Sequence, residues 1–392
     1  MAFDLERARD DTPGCSKVLH FNNAGASLMP QPVLNSVIDH LILESRMGGY
    51  EAAELAADKL ERVYENAARL INCSPDEIAV LENATRSWDM AFYSISFRPG
   101  DVILTSVTEY ASNFIAYIQV AEKTGAEIKV IPNDEYGSIS IEALRNSIND
   151  RVKLIALTHV PTNGGLVNPA EEVGKIAGEA GVLYLLDACQ SVGQMPIDVQ
   201  RIGCHMLSAT GRKFLRAPRG TGFLYVSQDI LAGLEPAMLD LHSAQWVDKD
   251  KYEIRNDARR FETWEVNYAG KMGLGTAIEY ALNWDIKVTW PRICRLADEL
   301  RRRLADLPGV VVRDLGRQKC GIVTFTVAEK TPHEVRRRLA DEKINVAVSP
   351  KNYTLLDMRS RGLDDGLIRA SVHYYNTEEE IDRFCRALEL MV

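Results

Sequence analysis

The sequence has no pair of cysteines at Cys-x-x-Cys spacing; its seven cysteines are scattered from Cys15 to Cys385. An odd, dispersed set argues against both a disulfide framework and a zinc site. Seven histidines are equally dispersed, and no metal site is expected. No apolar run approaches membrane-spanning length, and residues 1–11 are too acidic and polar for a secretory signal. A cytoplasmic protein is expected. There is no basic block and the net charge is −9, so nucleic acid is not an expected partner. Internal repeats and low-complexity linkers are also missing. What is present, 46% hydrophobic and 26% charged residues in 392, describes a globular chain long enough for two domains.

The stretch from Tyr184 to Gly222 organises the rest. An apolar run, Val182 to Leu186, ends in Asp187, as a strand buried on both faces of a parallel sheet would. A second run, Met206 to Thr210, ends in Gly211-Arg212-Lys213. Asp187 and Lys213 therefore fall at the carboxyl ends of two strands, where open α/β sheets place their ligands. An isolated Asp and Lys there read equally as a structural salt bridge. The surroundings favour a pyridoxal 5′-phosphate site. Lysine bonds the cofactor aldehyde and the aspartate keeps the pyridine nitrogen protonated. Gln190 is a donor to the ring hydroxyl, while Thr210 and Arg212 offer a hydroxyl and a guanidinium to phosphate.

Other strand ends add candidates. Ile78 to Leu81 runs into Glu82-Asn83-Ala84-Thr85 ahead of a helical pattern, a turn whose free N–H groups suit a phosphate or merely an N-cap. Asp101 to Ser106 leads to Tyr110, placed to stack on a flat ring. Ile128 to Pro132 is a further strand, and Val152 to Leu157 leads to His159, which reads as a core histidine, and to Asn163, a donor to a cofactor hydroxyl or a turn residue. Alternation of strands and helices over 78–226 predicts βαβ units and a mostly parallel sheet. Residues 227–270 read as irregular, and 270–305 as helical. Beyond them Val310 to Val312, Gly321 to Val327, Ile344 to Val348 and Leu367 to Val372 alternate with helical patterns, a small α+β unit closed by a capped helix from Asn376 or Thr377.

From Asn22-Asn23-Ala24-Gly25, through Asp-Ala-Cys-Gln at 187–190 and the Lys213 segment, to the helix start at Tyr375–Glu380, the chain resembles the class V aminotransferase group of fold-type I pyridoxal-phosphate enzymes. It is most similar to their cysteine desulfurase and selenocysteine lyase-like branch. The resemblance implies an α/β large domain with a mostly parallel seven-stranded sheet and a small C-terminal α+β domain. The expected division is an arm at 1–20, a large cofactor-binding domain at 21–270, and a linking helix with the small domain at 271–392. It implies Lys213 as Schiff-base lysine and proton shuttle, Asp187 as pyridinium partner, and Tyr110 as the stacking and catalytic ring. Gln190 and Asn163 would contact the ring hydroxyl, and Ala84, Thr85, Thr210 and Arg212 the phosphate. Arg369 would clamp the substrate carboxylate, with Asn23 beside it. A homodimer with shared active sites is implied, with Arg260-Phe261-Glu262 near the boundary.

Three departures from the desulfurase pattern stand out. Tyr110 replaces a stacking histidine. The loop Ser349 to Asp357, where desulfurases carry a sulfur-attacking cysteine, has none. Thr263 to Tyr268 stands where a partner-reaching threonine is expected. The expectation is a lyase that breaks a C–S bond in a cysteine-derived amino acid after loss of the Cα proton. An epimerase of the isopenicillin N epimerase type or an aminotransferase are the alternatives, and a non-catalytic regulator is disfavoured by the intact Lys213 set.

Overall fold

The computed structural model describes residues 3–391. Seven strands form the central sheet: Ile78–Leu81 (β1), Val102–Ser106 (β2), Glu127–Ile131 (β3), Val152–Thr158 (β4), Leu183–Asp187 (β5), Met206–Thr210 (β6) and Gly222–Val226 (β7). Their order is β1-β7-β6-β5-β4-β2-β3. Strand β7 alone runs against the rest, pairing antiparallel with β1 and β6; the other neighbours are parallel. Strands β4 to β7 are buried almost throughout because helices cover both faces. Alternate residues feed two cores: Ile155, Tyr184 and Leu186 face one, while Leu154, Leu185 and Met206 join Trp88, Phe92 and Tyr117 in the other. The edge strand β3 turns Glu127 and Lys129 outward, charges that discourage pairing with another chain.

The reversed strand has a consequence for the site. A Cβ on Gly222, the first residue of β7, would lie 2.7 Å from the Ala209 carbonyl oxygen and 2.9 Å from the Asn83 carbonyl carbon. Only glycine lets β7 press against the Asn83–Ala84 turn, so the start of the helix Ala84–Phe92 is held next to the end of β6.

A second, antiparallel sheet contains Val310–Val312 (β8), Ile322–Val327 (β9), Ala347–Ser349 (β10) and Leu367–Ser371 (β11), in the order β8-β9-β11-β10. The stretch expected as one strand over 344–348 divides. Ile344–Asn345 pairs in parallel with Leu19–His20, and only Ala347–Ser349 enters the sheet. The segment read as an arm folds back onto this C-terminal unit. Its helix Leu5–Asp10 holds Arg9 2.8 Å from Glu380, and Phe21 packs on Phe384 with ring centroids 5.0 Å apart. Residues 1 and 2 of that segment lie outside the described residues.

The helical region is two helices, Tyr268–Trp284 and Ile286–Asp306, broken at Asp285 with φ 58°. The stretch expected to be irregular contains a hairpin, Ala244–Asp248 with Lys251–Ile254, and Trp246 stands opposite Tyr252. Both of its faces are largely exposed, so it lacks the one-sided hydrophobic alternation by which a strand is read.

Candidate active site

The ends of β4, β5 and β6 and the helix starts behind β1 and β2 surround a cavity of about 360 Å³. Asp187 closes its floor. One carboxylate oxygen accepts from the Cys189 backbone N–H at 2.9 Å, the other from the Asn113 side chain at 3.0 Å. Asn113 lies on the first turn of helix Ala111–Thr124, and the same amide donates to Glu109 at 2.9 Å. Glu109 also accepts from Thr105, Thr158 and the Tyr110 N–H. Burial pushes the Glu109 carboxyl above its ordinary range, and nearby Asp187 adds to that push. Asn113 thus bridges two buried carboxyl groups and fixes the one on the floor.

Lys213 follows β6 and its side chain lines the cavity. Burial lowers its amine to about 8; Arg212 lowers it further, while Cys189 and Asp187 act in the opposite sense. The neutral amine is therefore far more populated near neutral pH than in an ordinary lysine, as covalent attachment to an aldehyde requires. Cys189 sits between Asp187 and Lys213. Burial, reinforced by Asp187, raises its thiol well above the ordinary value and keeps it neutral.

At one end, Asn83 caps helix Ala84–Phe92 by accepting from the Arg86 N–H at 2.9 Å. The N–H groups of Ala84 and Thr85 remain directed outward from the first turn. Thr85, Thr210 and Arg212 line the same end. Arg212 donates one bond to the Gly25 carbonyl, which braces the guanidinium across from the helix start. Arg369, on β11, donates to Thr162, which lines the cavity. Its Nε is buried with no partner, and among the described residues it forms no ion pair. Burial and then Arg212 lower its pKa to about 10, while Tyr353 and Tyr110 raise it. It is a buried cation still lacking an anion, which is costly until one arrives.

Of the sequence candidates, Ala84, Thr85, Tyr110, Asp187, Gln190, Thr210, Arg212 and Lys213 line one cavity. Arg369 and Asn163 stand behind Thr162 at its edge. Asn23 is the exception. It is fully buried, donates to the Ser371 carbonyl at 2.7 Å and accepts from the Tyr375 hydroxyl. Those bonds tie the N-terminal segment to β11 and leave nothing for a substrate. Asn113 and Glu109 were not singled out from sequence, although Asn113 falls one helical turn after Tyr110. His159, neutral because burial lowers it to about 4, faces a roomier cleft of about 1180 Å³ with Arg69 and Asp198. That cleft contains neither Asp187 nor Lys213, so size does not locate the site.

The cavity fits pyridoxal 5′-phosphate. Gln190 Oε1 and Asn163 Oδ1 are buried acceptors without partners, suited to a ring hydroxyl. The helix start and Arg212 suit a phosphate, Asp187 a protonated ring nitrogen, and Lys213 an aldehyde. Fold and site together define a fold-type I pyridoxal-phosphate enzyme. The chain belongs to the aminotransferase class-V family, whose model matches residues 19–384. Enzymes of that family depend on pyridoxal 5′-phosphate, and so does this one. The chain is 30% identical over 390 residues to a probable cysteine desulfurase of Methanothermobacter thermautotrophicus, covering 98% of this chain and 97% of that protein. An apo cysteine desulfurase from Thermococcus onnurineus superposes with TM-score 0.92 at 28% identity, over 100% of this chain and 98% of that one. The cystine C–S lyase C-DES, solved with its product cysteine persulfide, gives TM-score 0.87 at 23% identity over 96% and 99% of the two chains. At that identity the likeness is one of fold.

Proposed function

We propose that the protein is a C–S lyase that eliminates the sulfur substituent of a cysteine-derived amino acid without passing sulfur to a cysteine of its own. One observation carries this reading: the cavity offers no nucleophilic thiol. The loop after β10 has no cysteine. Among the described residues Cys189 is the one cysteine lining the cavity, and it is held neutral beside Asp187 on the floor.

The roles follow from position. Arg369 binds the substrate carboxylate through the guanidinium edge that Thr162 leaves free. When bound, pyridoxal 5′-phosphate supplies an electron sink for the pair left at Cα. Asp187, fixed by Asn113 and the Cys189 N–H, keeps a proton on the ring nitrogen. Lys213, the residue that would hold the cofactor covalently, would take the Cα proton once its amine is free. Loss of the β-sulfur with its bonding pair then leaves an enamine, which water converts to pyruvate and ammonia; the sulfur departs as a thiol, or as a sulfenate from a sulfoxide. The buried Arg369, Asn113 and Glu109 exclude water from the inner wall. A homodimer belongs to the same proposal, supported by Leu34, Ile38, Leu41 and Ile42 exposed along one face of helix Gln31–Met47.

The test is a panel of L-cysteine, S-substituted L-cysteines, their sulfoxides and simple L-amino acids, assayed for pyruvate and released thiol. Pyruvate in step with thiol or sulfenate supports elimination. Exchange of the Cα proton with solvent in the absence of pyruvate would replace this reading by epimerisation or transamination.

A further inference from the structure

The segment between β10 and β11 carries more detail than the proposed elimination uses. It leaves β10 at Ser349, makes a single turn over Lys351–Tyr353, continues as helix Leu355–Ser360 and returns along β11 to Arg369. Several of its parts are tied down. Thr354, 0% exposed, accepts a 2.9 Å bond from Asn163 Nδ2. Arg361 pairs with buried Asp357 at 3.2 Å and donates to the Arg313 carbonyl. Met358, Leu363 and Leu367 form a small core beneath, and Lys351 is turned away to Asp364 at 3.0 Å.

Among its exposed side chains, Tyr353 is the one set against an aromatic ring of the cofactor cavity. Its ring stands edge-on to Tyr110, with centroids 6.4 Å apart and planes at 64°, yet 40% of the residue stays exposed. It also lies near the Arg369 guanidinium. A rigid loop therefore sets one aromatic ring beside the carboxylate-binding cation and against the ring that lines the cofactor cavity. A substrate held by Arg369, with Cα within reach of Lys213, can extend its side chain only away from the floor, because the inner walls are buried protein. That direction leads to the two tyrosines.

We propose that Tyr353 is the specificity-determining residue of this active site, and that it selects L-cysteine conjugates whose sulfur bears a flat, aromatic substituent. The substituent's ring packs against Tyr353 and the edge of Tyr110, a geometry favoured by the quadrupoles of aromatic rings. The inference rests on the lyase reading for its substrate class, but its test needs no turnover. L-Homophenylalanine and L-norvaline replace the sulfur of S-phenyl- and S-methyl-type conjugates by a methylene, so neither has a group to expel. Both can be titrated into the holoenzyme while the absorption of the bound cofactor is followed.

The expected result is half-saturation by homophenylalanine at a roughly tenfold lower concentration than by norvaline. In Tyr353→Ala that ratio falls to about one, and in Tyr353→Phe it is kept, since the ring and not the hydroxyl makes the contact. The cofactor absorption of each variant before titration reports whether the site has folded. An unchanged ratio in Tyr353→Ala, no preference in the unaltered enzyme, or loss of preference in Tyr353→Phe would each overturn the assignment. Preference for homophenylalanine without pyruvate from any conjugate would instead overturn the lyase reading and leave Tyr353 in place.

Discussion

At the floor of the cavity, Thr158, Asp187 and Thr210 are the last residues of β4, β5 and β6, each positioned by a parallel or antiparallel ladder in the buried sheet. At the rim, Tyr110, Tyr353 and Thr354 come from a helix start and from a loop in the second unit, joined by one aromatic contact and one hydrogen bond. The floor holds groups whose chemistry the cofactor demands; the loop residues Tyr353 and Thr354, at the rim, are not among the groups it requires. A fold with a constant floor and a variable rim can keep its way of forming a carbanion while changing what it expels.

The comparison breaks most sharply at Lys213. Lys213→Ala should lose covalent cofactor and drop activity by roughly 10³-fold or more. Reductive trapping with borohydride followed by mass measurement checks the attachment, and a trapped cofactor on the variant would contradict the assignment. Arg369→Ala, on the rim side, should retain the cofactor. It should lower kcat/KM for all amino-acid substrates by roughly 10²–10³-fold, the range for deleting one partner of a buried charge pair. Steady-state kinetics on several substrates separates this from a change of preference.

Asn113→Ala tests the support under the floor. It removes the donor between Glu109 and Asp187, and thermal unfolding of the holoenzyme should show a loss of about 1–3 kcal/mol. The smallest effect is a pH dependence. The neutral amine is the form that attacks the aldehyde, and burial lowers Lys213 to about 8. The rate of cofactor capture by apo protein should therefore rise with pH and level off above about 8, where an ordinary lysine would level off above 10. Stopped-flow absorption reads this directly.

The same division explains what the sequence made legible. The strand before Asp187 is a continuous apolar run ended by a polar residue, so its position shows in hydrophobicity, whereas Lys213 needed its neighbours Thr210 and Arg212 as well. Thr85 and Arg212 follow from their place beside such ends. Asn113 was missed because its partner, Asp187, is 74 residues away; only helical spacing from Tyr110 pointed to it. Asn23, expected from the resemblance beside Arg369, is bonded instead to the Ser371 carbonyl at the end of β11, 348 residues later, a pairing no local pattern announces. The 244–254 hairpin stayed unread because exposed strands leave no one-sided periodic pattern, and the 349–357 loop was read for the cysteine it lacks but not for what Tyr353 faces.

The most direct test of the account is the fate of sulfur and carbon in one experiment. The holoenzyme is incubated with an S-substituted L-cysteine and, separately, with L-cysteine. Alanine and pyruvate are quantified, and the intact protein is weighed for bound sulfur. The account predicts pyruvate and released thiol in equal amounts from the conjugate, no alanine from either substrate, and an unmodified protein. Alanine accompanied by a persulfide on the chain would contradict it and return the enzyme to desulfurase chemistry.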